Sequence, residues 1–231
     1  MKKMAIFVEG YTEVVFVLKL ILEIAGDRVM IEHKELRGGA RNARTMKTLS
    51  ITKLKTDQDY FVVIFDCGGD EQVKTRINDE YSSLVKAGHS RIVGIRDIRG
   101  KFTHNDIPKL ESTLPKYLKT LPIQVQFILA IMETEAWFLA ETSHFPKIDP
   151  HITVEAIKEV LGFDPENDDM EQRLTPSNDL NDCYGIGGKT YEKRHVQNTV
   201  EALDFARMYL ELPLKFPYLK QLVDSINEFL A

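Results

Sequence analysis

Through its first two thirds the chain alternates short apolar runs with amphipathic stretches, and the two periods are easy to separate. Runs such as Met4-Ala5-Ile6-Phe7-Val8 and Tyr60-Phe61-Val62-Val63-Ile64-Phe65 are too short for buried helices and read as strands. Strands are expected near residues 4 to 8, 29 to 36, 60 to 66, 91 to 96 and 123 to 131, with helical signals over 12 to 25, 44 to 55, 71 to 87 and 107 to 119. That order predicts an α/β fold, a mostly parallel sheet with helices on both faces. The first helix is apolar nearly all round, which implies burial on more than one side, and Gly26 is placed to end it. Residues 132 to 142 read as a helix leaving the last strand, and a Pro-punctuated segment runs from Pro146 to Pro176. Helices are expected again over 190 to 210 and 217 to 230. The pattern divides the chain into an α/β domain, residues 1 to 142, and a mainly helical C-terminal extension, residues 143 to 231, packing on it. The acidic run Asp164 to Glu171 reads as a solvated loop.

Composition adds bounds. At 231 residues and 43% hydrophobic content the chain can bury a substantial core. A net charge of −5 excludes a protein coated in basic residues but not a local cationic groove. Cys67 and Cys183 fit no zinc spacing. The apolar segment behind Met1-Lys2-Lys3 is too short for a secretory leader, and no run reaches membrane length, so a cytoplasmic protein with no membrane partner is the expectation.

The chemistry-bearing residues stand where the strands stop. The first strand breaks into Glu9-Gly10-Tyr11-Thr12-Glu13, and the third delivers Asp66-Cys67-Gly68-Gly69-Asp70. In an open α/β sheet the carboxyl ends of the strands form the ligand crevice. Carboxylates there suit a hard divalent cation, which one or two such groups can hold while water fills the remaining positions. The plainer reading makes Glu9 a loop acid, and Asp66 and Asp70 turn or helix caps.

This pattern, a strand-end Glu-Gly followed some fifty residues on by a strand ending in Asp66, resembles the TOPRIM domain. That module is shared by topoisomerases, bacterial primases, small RNA-maturing nucleases and the overcoming-lysogenization-defect nucleases. The resemblance implies a Mg²⁺ (or Mn²⁺) site in which Glu9 matches the first motif, Asp66 the first acid of the Asp-x-Asp motif, and Glu13 an additional acid of the overcoming-lysogenization-defect type. The chain departs from the pattern at the second Asp, where Gly68 stands and Asp70 is the nearest substitute. Residues Ala130 to Ala140, with Tyr191-Glu192-Lys193 and Phe216 to Leu230, look like a group of small stand-alone TOPRIM-like proteins, many of them found beside ATPase genes.

The resemblance implies a nuclease that hydrolyses phosphodiester bonds in DNA or RNA, with Glu9 and Asp66 catalytic and a metal held by Glu9, Asp66, Asp70 and Glu13. Glu9 is then either a ligand or the general base. Glu135 and Asp97 are additional acids near strand ends; Glu135 is either a site residue or a buried ion-pair or capping group, and Asp97 reads rather as an ion-pair partner of Arg96 or Arg99. A nucleic-acid substrate needs cations, and Arg37, Arg41, Arg44 and Lys47 cluster after the second strand, with Arg96, Arg99 and Lys101 after the fourth. Their alternative is a solvated helix face. The Gly185 to Thr190 loop lacks phosphate-loop spacing, leaving Lys189 and Lys193 as candidate phosphate contacts. A receiver or dehalogenase-type fold would need paired acids on the first strand, which offers one. The competing reading is a catalytically reduced TOPRIM-like binding or regulatory subunit acting with a separately encoded ATPase, and Gly68 is the feature that favours it.

Overall fold

The structure is a computed structural model and describes residues 1–39, 42–53, 55, 57–69 and 72–231. In chain order the elements are β1 (Lys2–Val8), α1 (Tyr11–Ala25), β2 (Val29–Gly39), β3 (Asn42–Lys53), β4 (Tyr60–Asp66), α2 (Gln72–Lys86), β5 (Arg91–Asp97), α3 (Ile107–Thr113) and β6 (Val125–Ala130). The helices α4 (Glu135–Ala140), α5 (Phe145–Ile148), α6 (Val154–Leu161), α7 (Pro176–Ile186), α8 (Val196–Ala202), α9 (Phe205–Leu210), α10 (Leu212–Lys215) and α11 (Pro217–Leu230) follow. The strands form one sheet of order β3-β2-β4-β1-β5-β6. β1 runs parallel to β4 and β5, and β2 parallel to β4, while β3 is antiparallel to β2. The fold is therefore α/β with a mostly parallel sheet and a helical C-terminal region.

Central position follows from composition. Met4 to Val8 carry no polar side chain and are fully buried, as a strand covered on both faces requires. One layer of the core shows how α2 is held. Val73, Ile77, Tyr81 and Leu84, spaced to share a helix face, pack with Ala5, Phe7, Val63 and Phe65 from the sheet. The rings of Phe7 and Phe65 stack at 4.5 Å between centroids, and burying a side chain of this size contributes roughly 2–3 kcal/mol. Tyr81 fastens the far side of this layer: its hydroxyl donates to the Ile123 carbonyl at 2.8 Å and accepts the Ile123 N–H at 3.0 Å.

The helix expected over residues 44 to 55 is instead strand β3. Gly38 and Gly39 take positive φ values of 77° and 100° and turn the chain back on β2, and the segment behind them holds Thr45, Thr48, Ile51 and Thr52, β-branched residues that favour a strand. Its cations thus lie along a hairpin. Other expected helices are shorter. α3 stops at Thr113, just before Leu114-Pro115, where a proline lacks the N–H that would continue it. Residues 190 to 210 are split into α8 and α9, with Asp204 capping α9 through the N–H groups of Ala206 and Arg207.

The chain divides into two compact units. Unit 1 comprises Met1–Arg96, Ile107–Leu129 and Asp224–Ala231; unit 2 comprises Asp97–Asp106 and Ala130–Val223. The change of composition near residue 142 falls inside unit 2 rather than at a division, because the chain leaves unit 1 where β5 and β6 end. Among the described residues no helix is long and apolar enough to cross a membrane.

In unit 1 the layer between β5, β6 and α2 leaves no room at Gly94, where a Cβ would lie 2.8 Å from Phe127 Cε1 and 2.9 Å from Ile77 Cδ1. Gly94→Ala is expected to cost about 1–3 kcal/mol through overpacking. Urea denaturation of wild type and variant, with an unchanged slope and a lower midpoint, checks it.

Candidate functional site

The parallel register sets Val8 beside Asp66, so β1 and β4 end together and Glu9 follows directly. Two further backbone bonds keep the exits side by side: Cys67 N–H to Val8 O, and Gly69 N–H to Glu9 O, each 2.9 Å. Glu9, Glu13 and Asp66 are all buried, at 6%, 4% and 5% exposure. Glu13 lies in the first turn of α1, and its Oε2 accepts the Gly10 N–H at 2.9 Å, fixing where that helix starts. Burial pushes the neighbouring Cys67 thiol well above its ordinary range, so it is no nucleophile.

Asp66 is gripped by an arginine from the next strand. Arg37, near the end of β2, donates Nη1 to Oδ1 at 3.0 Å and Nη2 to Oδ2 at 2.9 Å, a bidentate fork. The same guanidinium reaches the carbonyls of Leu36 and Asp66 at 3.0 and 3.2 Å and the Glu35 carboxylate at 3.0 Å. Hydrogen bonding to Asp66 holds Arg37 above its ordinary value. Asp66 Oδ1 also accepts the Gly68 N–H at 2.9 Å. Gly68 has φ +76°, and a Cβ there would lie 3.0 Å from Arg37 Nη1.

Next to this pair opens a cleft of about 510 Å³ whose cationic lining is Arg37, Arg44 and Arg76. Arg44 pairs with Asp79 at 2.9 Å. Arg76, on α2, is buried; its Nη2 donates to the Gly38 carbonyl at 2.6 Å, and its Nε has no hydrogen-bond partner among the described residues. Such a cleft is chemically suited to an anion with several oxygens.

Whether these carboxylates suit a divalent ion turns on Asp66, both of whose oxygens carry the Arg37 fork. Among the described residues no three His, Cys, Asp or Glu side chains are grouped as a metal site. Asp70, named with Glu9, Asp66 and Glu13 as a ligand, lies outside the described residues, as does Arg41. In the arrangement described, a metal does not fit on Asp66 while Arg37 holds it.

The remaining candidates are dispersed. Lys47 is exposed on β3, paired across the ladder with Glu35; Arg96 is half-buried at the end of β5; Lys101 is exposed in unit 2. Lys189 lines a separate cavity of about 600 Å³ within unit 2, near Lys147 and His195. Asp97 and Glu135 also belong to unit 2, which holds a polar network of its own. There Met132 adopts a left-handed φ of 60°, a strained conformation for a side-chain-bearing residue, as the chain enters Glu133. Glu133 accepts from Arg99 at 2.8 Å, from Lys193 at 3.0 Å and from Ser177 through N–H and hydroxyl. Burial works against its ionisation, but Lys193 and Ser177 outweigh this and hold its carboxyl below the ordinary value. Fully buried Glu135 accepts from Tyr191 Oη at 2.8 Å and lies 3.3 Å from Lys193, and among the described residues its Oε2 has no hydrogen-bond partner. Burial pushes its carboxyl up. Asp97 accepts from Thr134 at 3.3 Å. Glu135 thus lies within ion-pair distance of Lys193, a candidate phosphate contact from sequence, which Glu133 shares.

The chain matches no protein-family model and no curated protein. Among solved structures it is similar to a hypothetical protein from Pyrococcus horikoshii OT3, at 12% sequence identity and a TM-score of 0.48, with 100% of each chain covered.

Glu171 ends the acidic run expected to be solvated, yet it is buried, accepting from Trp137 Nε1 at 2.9 Å. Burial pushes its carboxyl up to about 7 from 4.5. Between those values the folded chain keeps a proton that the unfolded chain has released, so stability falls as pH rises through this window, by about 3 kcal/mol at most. Below the window both states are protonated and the loss vanishes. Glu171→Gln is expected to flatten the decline, read as thermal midpoints across the window for both proteins.

Proposed function

We propose that this protein is a TOPRIM-like, metal-dependent nuclease that hydrolyses phosphodiester bonds in DNA or RNA. The observation that carries the reading is the placement, in unit 1, of buried Glu9 and Asp66 at the adjacent ends of two parallel strands, near a cleft whose cations are Arg37, Arg44 and Arg76. Phosphodiester cleavage needs the charge of the phosphate matched and an attacking water activated. The arginines supply fixed, permanently charged forks for phosphate oxygens, and Glu9 is the carboxylate that takes a proton from water. A bound Mg²⁺ or Mn²⁺ would stabilise charge on the leaving oxygen. Since Arg37 occupies Asp66, cleavage requires that this pair open.

The Arg37–Asp66 fork also favours a second reading, a TOPRIM-like binding or regulatory subunit that acts with a partner ATPase. An internal cation on Asp66, and glycine at position 68, are what a site retaining the fold without the chemistry would keep.

Labelled single- and double-stranded DNA and total RNA, incubated with Mg²⁺, Mn²⁺ or chelator, separate the two. The nuclease reading expects metal-dependent cutting that falls by about a hundredfold or more in Glu9→Ala and Asp66→Ala. Nucleic-acid binding without cutting by wild type would move the assignment to the regulatory subunit.

A further inference from the structure

The arrangement of Arg37 is unusual in what its two sides do. Its side chain is 42% exposed and lines the cleft, whereas the Asp66 side chain it grips is 7% exposed. One guanidinium therefore holds two carboxylates, buried Asp66 and the more open Glu35, and also borders an anion-sized space. Of the other cations in the cleft, Arg44 is matched by Asp79, whereas Arg76 donates to the neutral Gly38 carbonyl and, among the described residues, keeps a buried Nε with no hydrogen-bond partner. A buried guanidinium with an unused donor is costly unless something supplies an acceptor.

Gly68 belongs to the same device. A Cβ at position 68 would stand 3.0 Å from Arg37 Nη1 and 3.3 Å from its Cδ, so glycine leaves the guanidinium uncrowded on its way across the turn to Asp66.

We propose that Arg37 is a phosphate-operated latch on Asp66. A phosphate group entering between Arg44 and Arg76 takes the Arg37 guanidinium, and the Asp66 carboxylate is released. Carboxylate and phosphate both match the planar fork, and a phosphate brings more oxygens to three arginines than Asp66 brings to one. The exchange makes no covalent bond and moves no proton. Phosphate in the cleft and Arg37 on Asp66 exclude one another, so each weakens the other by the same factor. The inference rests on the reading of unit 1 as a phosphodiester site, but not on whether cleavage follows.

Calorimetric titration with methyl phosphate and dimethyl phosphate tests it without metal or turnover. Arg37→Gln is expected to weaken binding about tenfold, and Asp66→Asn, by removing the competitor, to tighten it about tenfold, within the usual range of coupling. The deciding comparison is Asp66→Asn made in the Arg37→Gln background, where the tightening is expected to vanish. Persistence of the full gain there would mean bulk charge alone, and absence of any gain from Asp66→Asn in the wild-type background would equally overturn the latch. Coupling seen with the monoester alone assigns the cleft to a chain-end phosphate, and coupling with the diester assigns it to an internal one; coupling with neither overturns the proposal. Wild type gives a reading that no variant's folding can obscure: NMR signals of the Arg37 guanidinium are expected to move on phosphate addition, and constancy at saturation sinks the idea. A protein that shows the coupling and cuts nothing retires the nuclease reading only, and one that cuts without coupling retires the latch only.

Discussion

A carboxylate taken out of water at the end of a central strand needs a partner, because an unmatched buried charge is among the most destabilising groups a fold can contain. Unit 1 ends two adjacent strands this way, and much of its local architecture follows from how Asp66 is matched. The β2–β3 hairpin brings Arg37 over the strand end, two positive-φ glycines form the turn that holds β3 against β2, and Gly68 clears the path of the guanidinium. Without the hairpin the fork has no carrier; without glycine its path is crowded. Glu13 is matched differently, by the Gly10 N–H, so it serves the start of α1 as well as the crevice.

Unit 2 meets the same physical demand with different means. Glu133 and Glu135 share Lys193, and Ser177 and Arg99 complete the shell around Glu133. The strained Met132 lies immediately before these acids, where the network fixes the backbone in a conformation it would otherwise avoid. With one oxygen of Glu135 lacking a partner, the balance there leans on burial opposing its charge and on Lys193 restoring it. Both units thus rely on cations that reach in from more exposed positions: the side chains of Arg37 and Lys193 are about half open to solvent, at 42% and 51%.

The strands β1, β4 and β5 and the helices α1, α2 and α11 were legible because their apolar periods are long and unbroken. Glu9 and Asp66 were legible because a charge directly after a buried run has few places to go. β3 was misread because its cations are spaced in a way a helix face also allows, while the signal that decides it, Gly38-Gly39 followed by β-branched residues, is short. Arg76 went unnoticed for a related reason. A lone arginine among the polar residues of an amphipathic helix looks solvated, and only the position of Gly38 above α2 makes it buried. Glu171 shows the same limit from the other side, since a run of charges does not reveal that its last member turns inward to Trp137. The division into units was hidden because each is assembled from segments distant in the chain.

The contact between positions 37 and 68 has a consequence for descent. A side chain introduced at 68 would meet both the Arg37 guanidinium and a positive-φ backbone, so the two positions are not free to change independently. Shortening residue 37 would relieve the crowding but not the φ of +76°, and it would take the fork from Asp66. Substitution at 68 is therefore constrained twice, by the neighbouring guanidinium and by the backbone.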